Sequence, residues 1–171
     1  LSCIIEDNKP VFIGVSDILK KSTEKTKNLL KKELDVRLAE LNLLWHYSTL
    51  EKIFIENRIY RLIEDEETWD GVLEAINKGL KPFINLLKKE VSEDDILKLT
   101  EIKIKRISKF DLEKADKKIK QIEEDIDKVK FNLENLNDYS RQYFKDLNTT
   151  YSNGRQRKKE NRIFDDVDLK K

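Results

Sequence analysis

Apolar residues follow two helical rows through the first third of the chain. Residues 17–60 contain neither glycine nor proline, so a helix can run through them without interruption. One row repeats every three or four residues and the other every seven, which together form a wide apolar stripe. The rows are Leu30, Leu34, Leu38, Leu41 and Trp45, and Leu29, Val36, Leu43 and Leu50. The pattern predicts a first long helix over residues 16–60, about 60 Å in length.

A heptad repeat predicts a second long helix later in the chain. After a first step of three residues, its apolar positions alternate between steps of four and three, the spacing of a coiled coil. Ser108-Lys109-Phe110-Asp111 precedes the repeat and resembles a capping box. The repeat consists of Leu112, Ala115, Ile119, Ile122, Ile126, Val129, Leu133 and Leu136. We therefore expect a return helix over residues 108–147.

The segment between the two long helices, residues 61–107, is called the knob below. Its pattern predicts a short helix over residues 68–78 with Gly79 as the C-cap residue, and another with Pro82 in its first turn. Ser92 precedes three acidic residues, which predicts the start of a further helix ending near Ile107. Residues 102–105 also alternate as a strand would, but the upstream helix start favours a helix.

Two long helices joined by a compact insert fold back most readily as an antiparallel pair. The predicted fold class is therefore all-α, with two antiparallel helices forming a coiled-coil arm and a small helical globular knob at its distal end. Residues 1–15 are expected to be an extended leading segment, with Pro10 to Ile13 apolar and Gly14 ending it. Residues 148–171 are expected to be a basic, partly flexible tail.

Composition supports an elongated helical module. Charged residues make up 40% of the 171 residues and hydrophobic residues 38%, with only four glycines and two prolines. This composition is typical of long helices with much surface per residue. The 35 basic and 34 acidic residues give a net charge of +1, so overall charge does not indicate nucleic-acid binding. Any such binding must come from local basic patches.

Several classes of chemistry find no support in the sequence. Cys3 is the only cysteine and His46 the only histidine, which excludes an internal disulfide and a zinc site of the usual type. We expect His46 to be a helix-surface residue, and no nucleophile–base pair or nucleotide-binding loop is visible. Without a membrane-spanning stretch or a signal peptide, the chain is expected to be cytoplasmic. It contains no methionine and is expected to come from something longer.

The order of these elements and four local motifs resemble the A subunits of bacterial gyrase and topoisomerase IV. Glu101 to Asp111 is similar to the family's alternation of aliphatic and basic residues before the return helix, with Ser108 for the family's Thr and Lys109 for its Gly. The stretch from Tyr151 to Asn161 is similar to the family's Tyr-Gly followed by basic residues. Two further stretches, 10–19 and 45–51, resemble one branch of topoisomerase IV A subunits.

The resemblance implies a role without chemistry in this chain. In type IIA topoisomerases the coiled-coil arms carry distal knobs that meet across a two-fold axis and form the exit gate (C-gate) for the transported duplex. The catalytic tyrosine and the Mg²⁺ and ATP sites lie elsewhere, so this chain is expected to carry no catalytic residue, cofactor or metal. The implied partners are a second copy, DNA and the ATPase-bearing B subunit, with no membrane and no small-molecule substrate.

Two sets of residues are candidates for these contacts. An exit gate needs exposed apolar residues on the knob, and DNA binding at the arm's other end needs cations. The expected dimer-interface residues are Leu97, Ile104, Ile107, Ile59 and Ile63. The expected DNA-contacting residues are Lys20, Lys21, Arg155, Arg157, Lys158 and Lys159. An unrelated coiled-coil tether is the alternative; there, the heptad face of the return helix would pair with another chain along its length.

Overall fold

A computed structural model describes residues 2–6, 8–63 and 66–155. The fold is mostly helical, as predicted, and its elements follow one another without long loops. The strands are β1 (Ser2–Glu6) and β2 (Lys9–Ile13), and the helices are α1 (Val15–Glu56), α2 (Trp69–Leu80), α3 (Glu93–Thr100), α4 (Ile104–Ser108), α5 (Leu112–Glu134) and α6 (Leu136–Tyr151). Two 3₁₀ helices, Ile59–Ile63 and Lys81–Leu86, flank α2.

The leading segment is a β-hairpin, whereas the sequence predicted a single extended stretch. The two strands are antiparallel, and their register pairs Ile5 with Pro10 and Glu6 with Lys9. Asn8 lies in the turn with a φ of 62°, a conformation that asparagine adopts more readily than most residues. A two-stranded sheet has only edge strands, so it tolerates the missing N–H of Pro10.

The chain divides into two compact units. One comprises residues 1–27 and 135–171, which include the hairpin, the first turns of α1 and all of α6. The other comprises residues 28–134, which include the rest of α1 and every element through α5. All residues of the knob therefore belong to the second unit.

Within residues 28–134, α1 and α5 pack as an antiparallel pair. Their buried contact, called the seam below, consists of Leu41 and Trp45 from α1 and Ile122 and Ile126 from α5. Trp45 Nε1 donates to Glu123 Oε1 at 2.9 Å. Further along α1, Lys52 Nζ lies 2.6 Å from Asp116 Oδ1. As the residue number rises along α1, the number of the contacting residue on α5 falls, which confirms the predicted antiparallel arrangement.

The predicted helix boundaries between α3 and α5 need correction. The helix that begins after Ser92 stops at Thr100, and Lys103 is extended before α4 begins. The hydroxyl of Ser108 donates to the Lys105 carbonyl at 3.2 Å, so Ser108 closes α4. Asp111 caps α5 instead, because its Oδ1 accepts from the Lys114 backbone N–H at 3.2 Å. The return helix is also divided, since α5 ends at Glu134 and α6 begins at Leu136.

Candidate functional site

The knob is built around an apolar core shared by the last turns of α1, the first 3₁₀ helix, α2 and α3. This knob core consists of Leu50, Ile53, Phe54, Ile55, Ile59, Val72, Ile76, Leu80, Ile96 and Leu99. Gly79 lies inside α2 and is not its C-cap residue as predicted, because the helix continues to Leu80. A Cβ at Gly79 would lie 2.7 Å from Ile59 Cγ2, so the close approach of these two segments requires glycine.

A buried polar cluster joins α1 to the start of α3. A capping box joins Ser92 and Asp95: Asp95 Oδ2 accepts from the Ser92 backbone N–H at 3.1 Å, and Ser92 Oγ accepts from the Asp95 backbone N–H at 3.3 Å. The Ser92 hydroxyl also donates to Asp95 Oδ2 at 2.7 Å. The ring of His46 lies 3.3 Å from the same oxygen through Nε2. Burial raises the pKa of Asp95, but these hydrogen bonds outweigh it, so the pKa lies below its ordinary value.

The expectation that His46 lies on the helix surface is wrong. Only 4% of the residue is exposed, and its Nδ1 is buried without a hydrogen-bond partner in the described part of the chain. The physical reason is that His46 follows Trp45 on α1, where α3 covers the helix and offers the carboxylate of Asp95. No short-range sequence signal could place residues 46 and 95 together.

A second polar contact ties α1 to α4. Arg106 donates to both carboxylate oxygens of Glu51, with Nη2 to Oε2 at 2.8 Å and Nε to Oε1. Hydrogen bonding to Glu51 raises the pKa of Arg106 above its ordinary value. Glu51 is only 4% exposed, so Arg106 neutralises a carboxylate that is largely withdrawn from water. Sequence reasoning missed this pair because its members are 55 residues apart.

The five expected interface residues fall into two groups. Ile104 is 82% exposed and Leu97 38% exposed, so both offer apolar surface on the knob. Ile59 is 3% exposed and belongs to the knob core, while Ile63 and Ile107 are partly buried against it. The dimer-interface role of all five stays a prediction.

The expected DNA-contacting residues belong to residues 1–27 and 135–171. Lys20 and Lys21 are exposed on α1, and Lys21 forms an ion pair with Glu6 of β1. Arg155 is exposed after the end of α6, and its backbone N–H donates to the Ser152 carbonyl at 2.9 Å. Arg157, Lys158 and Lys159 lie outside the described residues.

Over residues 2–6, 8–63 and 66–155, no group of three or more histidine, cysteine or acidic side chains is arranged to hold a metal ion. Over the same ranges, no helix is long and apolar enough to cross a membrane. The polar contacts described for the knob are those between His46 and Asp95 and between Glu51 and Arg106. The knob also exposes apolar side chains, such as Ile104, and basic side chains.

Comparison with known proteins finds a family model and a relative that are similar to this chain. The family model for the A subunit of DNA gyrase/topoisomerase IV matches residues 1–148. The A subunit of DNA topoisomerase 4 from Borreliella burgdorferi is 27% identical over 155 residues. That alignment covers 91% of this chain but 25% of the relative, so the chain spans about a quarter of the relative's length.

Proposed function

Because the chain belongs to the family of DNA gyrase/topoisomerase IV A subunits, we propose that it forms the coiled-coil arm and exit gate of a bacterial type IIA DNA topoisomerase. Two copies of the knob meet across a two-fold axis, and their contact opens to release the transported duplex. The segment supplies no catalytic group of its own. DNA cleavage, Mg²⁺ binding and ATP hydrolysis belong to other parts of a cytoplasmic parent enzyme and to its B subunit.

The observation that carries this proposal is the seam. Ile122 and Ile126 of the heptad repeat are buried against Leu41 and Trp45 of the same chain. The buried part of the repeat is thus already satisfied within one molecule, which leaves the knob's surface for association. A tether that used this heptad face would need it to pair between chains, and family membership also excludes an unrelated origin.

The gate contact would be centred on the exposed apolar residues of the knob. Ile104 and Leu97 can reach a partner directly, whereas Ile59 would act only by supporting the surface from the knob core. A two-fold contact uses the same patch on both copies. A contact of standard size, about 800 Å² per partner, would hold the gate closed and still allow it to open.

Sedimentation equilibrium of the whole chain at hundreds of micromolar tests this proposal. We expect a monomer–dimer equilibrium that Ile104→Asp abolishes, because the change places a charge in an apolar contact. Val36→Asp is the matched control, since Val36 is also an exposed β-branched residue but lies on α1 outside the knob. A chain that stays monomeric, or a dimer that survives Ile104→Asp, would contradict the proposed contact.

DNA binding by Lys20, Lys21 and the basic tail is part of the same proposal. Phosphate contacts by lysine and arginine are sequence-independent and salt-sensitive. Lys21 is already paired with Glu6, so among the described residues Lys20 and Arg155 should contribute more to the affinity for the duplex. Lys20→Gln should weaken duplex binding, and Lys21→Gln should weaken it less; the opposite ranking would contradict this assignment.

A further inference from the structure

A strongly basic groove lies on the α4–α5 side of the knob, within residues 28–134. It has a volume of about 480 Å³. Its walls come from α1, from α4 and from the first turns of α5. Six cationic side chains line it: Lys103, Lys105, Arg106, Lys109, Lys114 and Lys118. Among the described residues that line the groove, only Glu51 and Asp111 carry a carboxylate.

Those two carboxylates are already paired. Glu51 binds Arg106, and Asp111 lies 3.2 Å from the ammonium of Lys114. The remaining four lysines, Lys103, Lys105, Lys109 and Lys118, form no ion pair with any residue of the described chain. A protein with a net charge of +1 therefore concentrates about four uncompensated positive charges in one concave surface.

A second, independent observation concerns Ser48, which lines the same groove. The residue is 6% exposed, and its hydroxyl is buried without a hydrogen-bond partner among the described residues. Buried polar groups are nearly always hydrogen-bonded, so an unpartnered hydroxyl calls for an explanation. An anionic oxygen that entered the groove would accept the Ser48 hydrogen bond and be attracted by the lysines around it.

The composition of the groove fits phosphate. The fork of arginine binds both carboxylates and phosphates in a bidentate way, whereas lysine is a common ligand of phosphate that acts as a point charge. Here lysine dominates, and the one arginine that lines the groove is occupied by Glu51. The charge of the four lysines also exceeds the roughly two negative charges of a single phosphate group. A chain of phosphates matches this excess better than one isolated phosphate does.

We propose that this groove binds the phosphate backbone of double-stranded DNA. The proposal deepens the gate function and rests on it, since the knob is then the last part of the chain that a released duplex passes. The four lysines hold the backbone in a sequence-independent way, and the Ser48 hydroxyl donates to one phosphate oxygen. Such contacts are weakened by salt, so they can hold a duplex briefly without trapping it.

Fluorescence anisotropy with a labelled blunt duplex, measured over a salt series on the whole chain, tests the proposal. Each lysine–phosphate contact contributes about 0.9 to the slope of log affinity against log salt. Lys109→Gln combined with Lys118→Gln should therefore lower the affinity several-fold and reduce the slope by about two. Lys120→Gln combined with Lys130→Gln is the matched control, because both lysines are exposed on α5 and neither lines the groove.

Ser48→Ala separates binding from folding. The change removes a buried hydroxyl that has no partner in the described part of the chain, so it should not lower the melting temperature, while it weakens binding of the duplex. Equal losses in the groove and control variants, or no loss in either, would overturn the proposal. Unchanged duplex affinity in Ser48→Ala would overturn the role of that hydroxyl.

Two further arms identify the source of the phosphate and separate this inference from the gate. One result would overturn the assignment to DNA: inorganic pyrophosphate shifts the backbone NMR signals of the groove residues, but the lysine substitutions leave the affinity for the duplex unchanged. Sedimentation of the same variants reports dimerisation independently. A dimer without groove-dependent DNA binding contradicts only this inference, and groove-dependent binding by a strict monomer contradicts only the gate.

Discussion

The seam and the knob core lie in the same compact unit but are built differently. The seam buries four residues from two helices, at positions separated by one helical turn on each. The knob core buries ten residues drawn from four segments, and Phe54, Leu50, Ile76, Leu80 and Leu99 are almost fully enclosed. The seam needs only a repeating pattern, whereas the knob needs distant segments to fit together. The knob core therefore holds several segments in fixed positions, while the seam holds two helices together.

The largest expected effect is on the knob core. Phe54→Ala should lower the free energy of unfolding by about 3–5 kcal/mol, because it removes an enclosed aromatic side chain and leaves a cavity. Urea denaturation followed by circular dichroism measures this loss. Leu86→Ala is the control: Leu86 is exposed, so its loss should stay within about 0.5 kcal/mol. Similar losses for the two variants would show that the core is not packed as described.

A smaller effect is expected for the seam. Ile126→Ala should cost about 2–4 kcal/mol, since Ile126 is enclosed but the two-helix contact can partly close over the space. The same urea titration applies, with Leu43→Ala on the exposed side of α1 as the control. If Ile126→Ala lowers the free energy of unfolding more than Phe54→Ala does, the contrast between the four-residue seam and the ten-residue knob core is wrong.

The polar contact between α1 and α4 should contribute less. Arg106→Gln leaves the buried carboxylate of Glu51 without its charged partner. The expected loss is about 1–2 kcal/mol, reduced from that of a buried pair because the Arg106 side chain is largely exposed. Lys105→Gln, on the same helix but without an ion pair to any described residue, should cost almost nothing in the same denaturation experiment. Equal costs would exclude a stabilising role for the pair.

The smallest effect concerns acid stability at the start of α3. The folded-state pKa of Asp95 is lowered, so its contribution is fully present above the unfolded value near 3.9 and is lost as the pH falls through the folded value. Asp95→Asn should therefore flatten the fall of unfolding free energy below about pH 4. Asp94→Asn, one residue earlier and exposed, should leave that pH profile unchanged. An identical profile in all three proteins would contradict this role of Asp95.

The seam could be predicted from sequence because its information is periodic and local. A heptad spacing is visible in the sequence, and its central residues pack against α1 in the structure: Ile119, Ile122, Ile126 and Val129. The pairs His46–Asp95 and Glu51–Arg106 could not be predicted, since their members meet only after α3 and α4 fold onto α1. The same holds for the basic groove, whose lysines come from α4, the residues flanking it and α5, and meet only in the folded chain. The exact start of α5 was also hard to predict, because Ser108 and Asp111 can both cap a helix. In the structure Ser108 ends α4, and Asp111 caps α5.

The central claim is that two knobs meet through one self-complementary patch, and a distance between two copies tests it most directly. Leu97→Cys in a Cys3→Ser background gives one labelling site, because Cys3 is the only other cysteine and is exposed. Double electron–electron resonance on this spin-labelled chain should show a single narrow intermolecular distance that Ile104→Asp removes. A label at Val36→Cys should not report a shorter distance than the one at residue 97. Absence of any intermolecular distance at Leu97→Cys, in a chain that sediments as a dimer, would place the contact elsewhere and contradict the account.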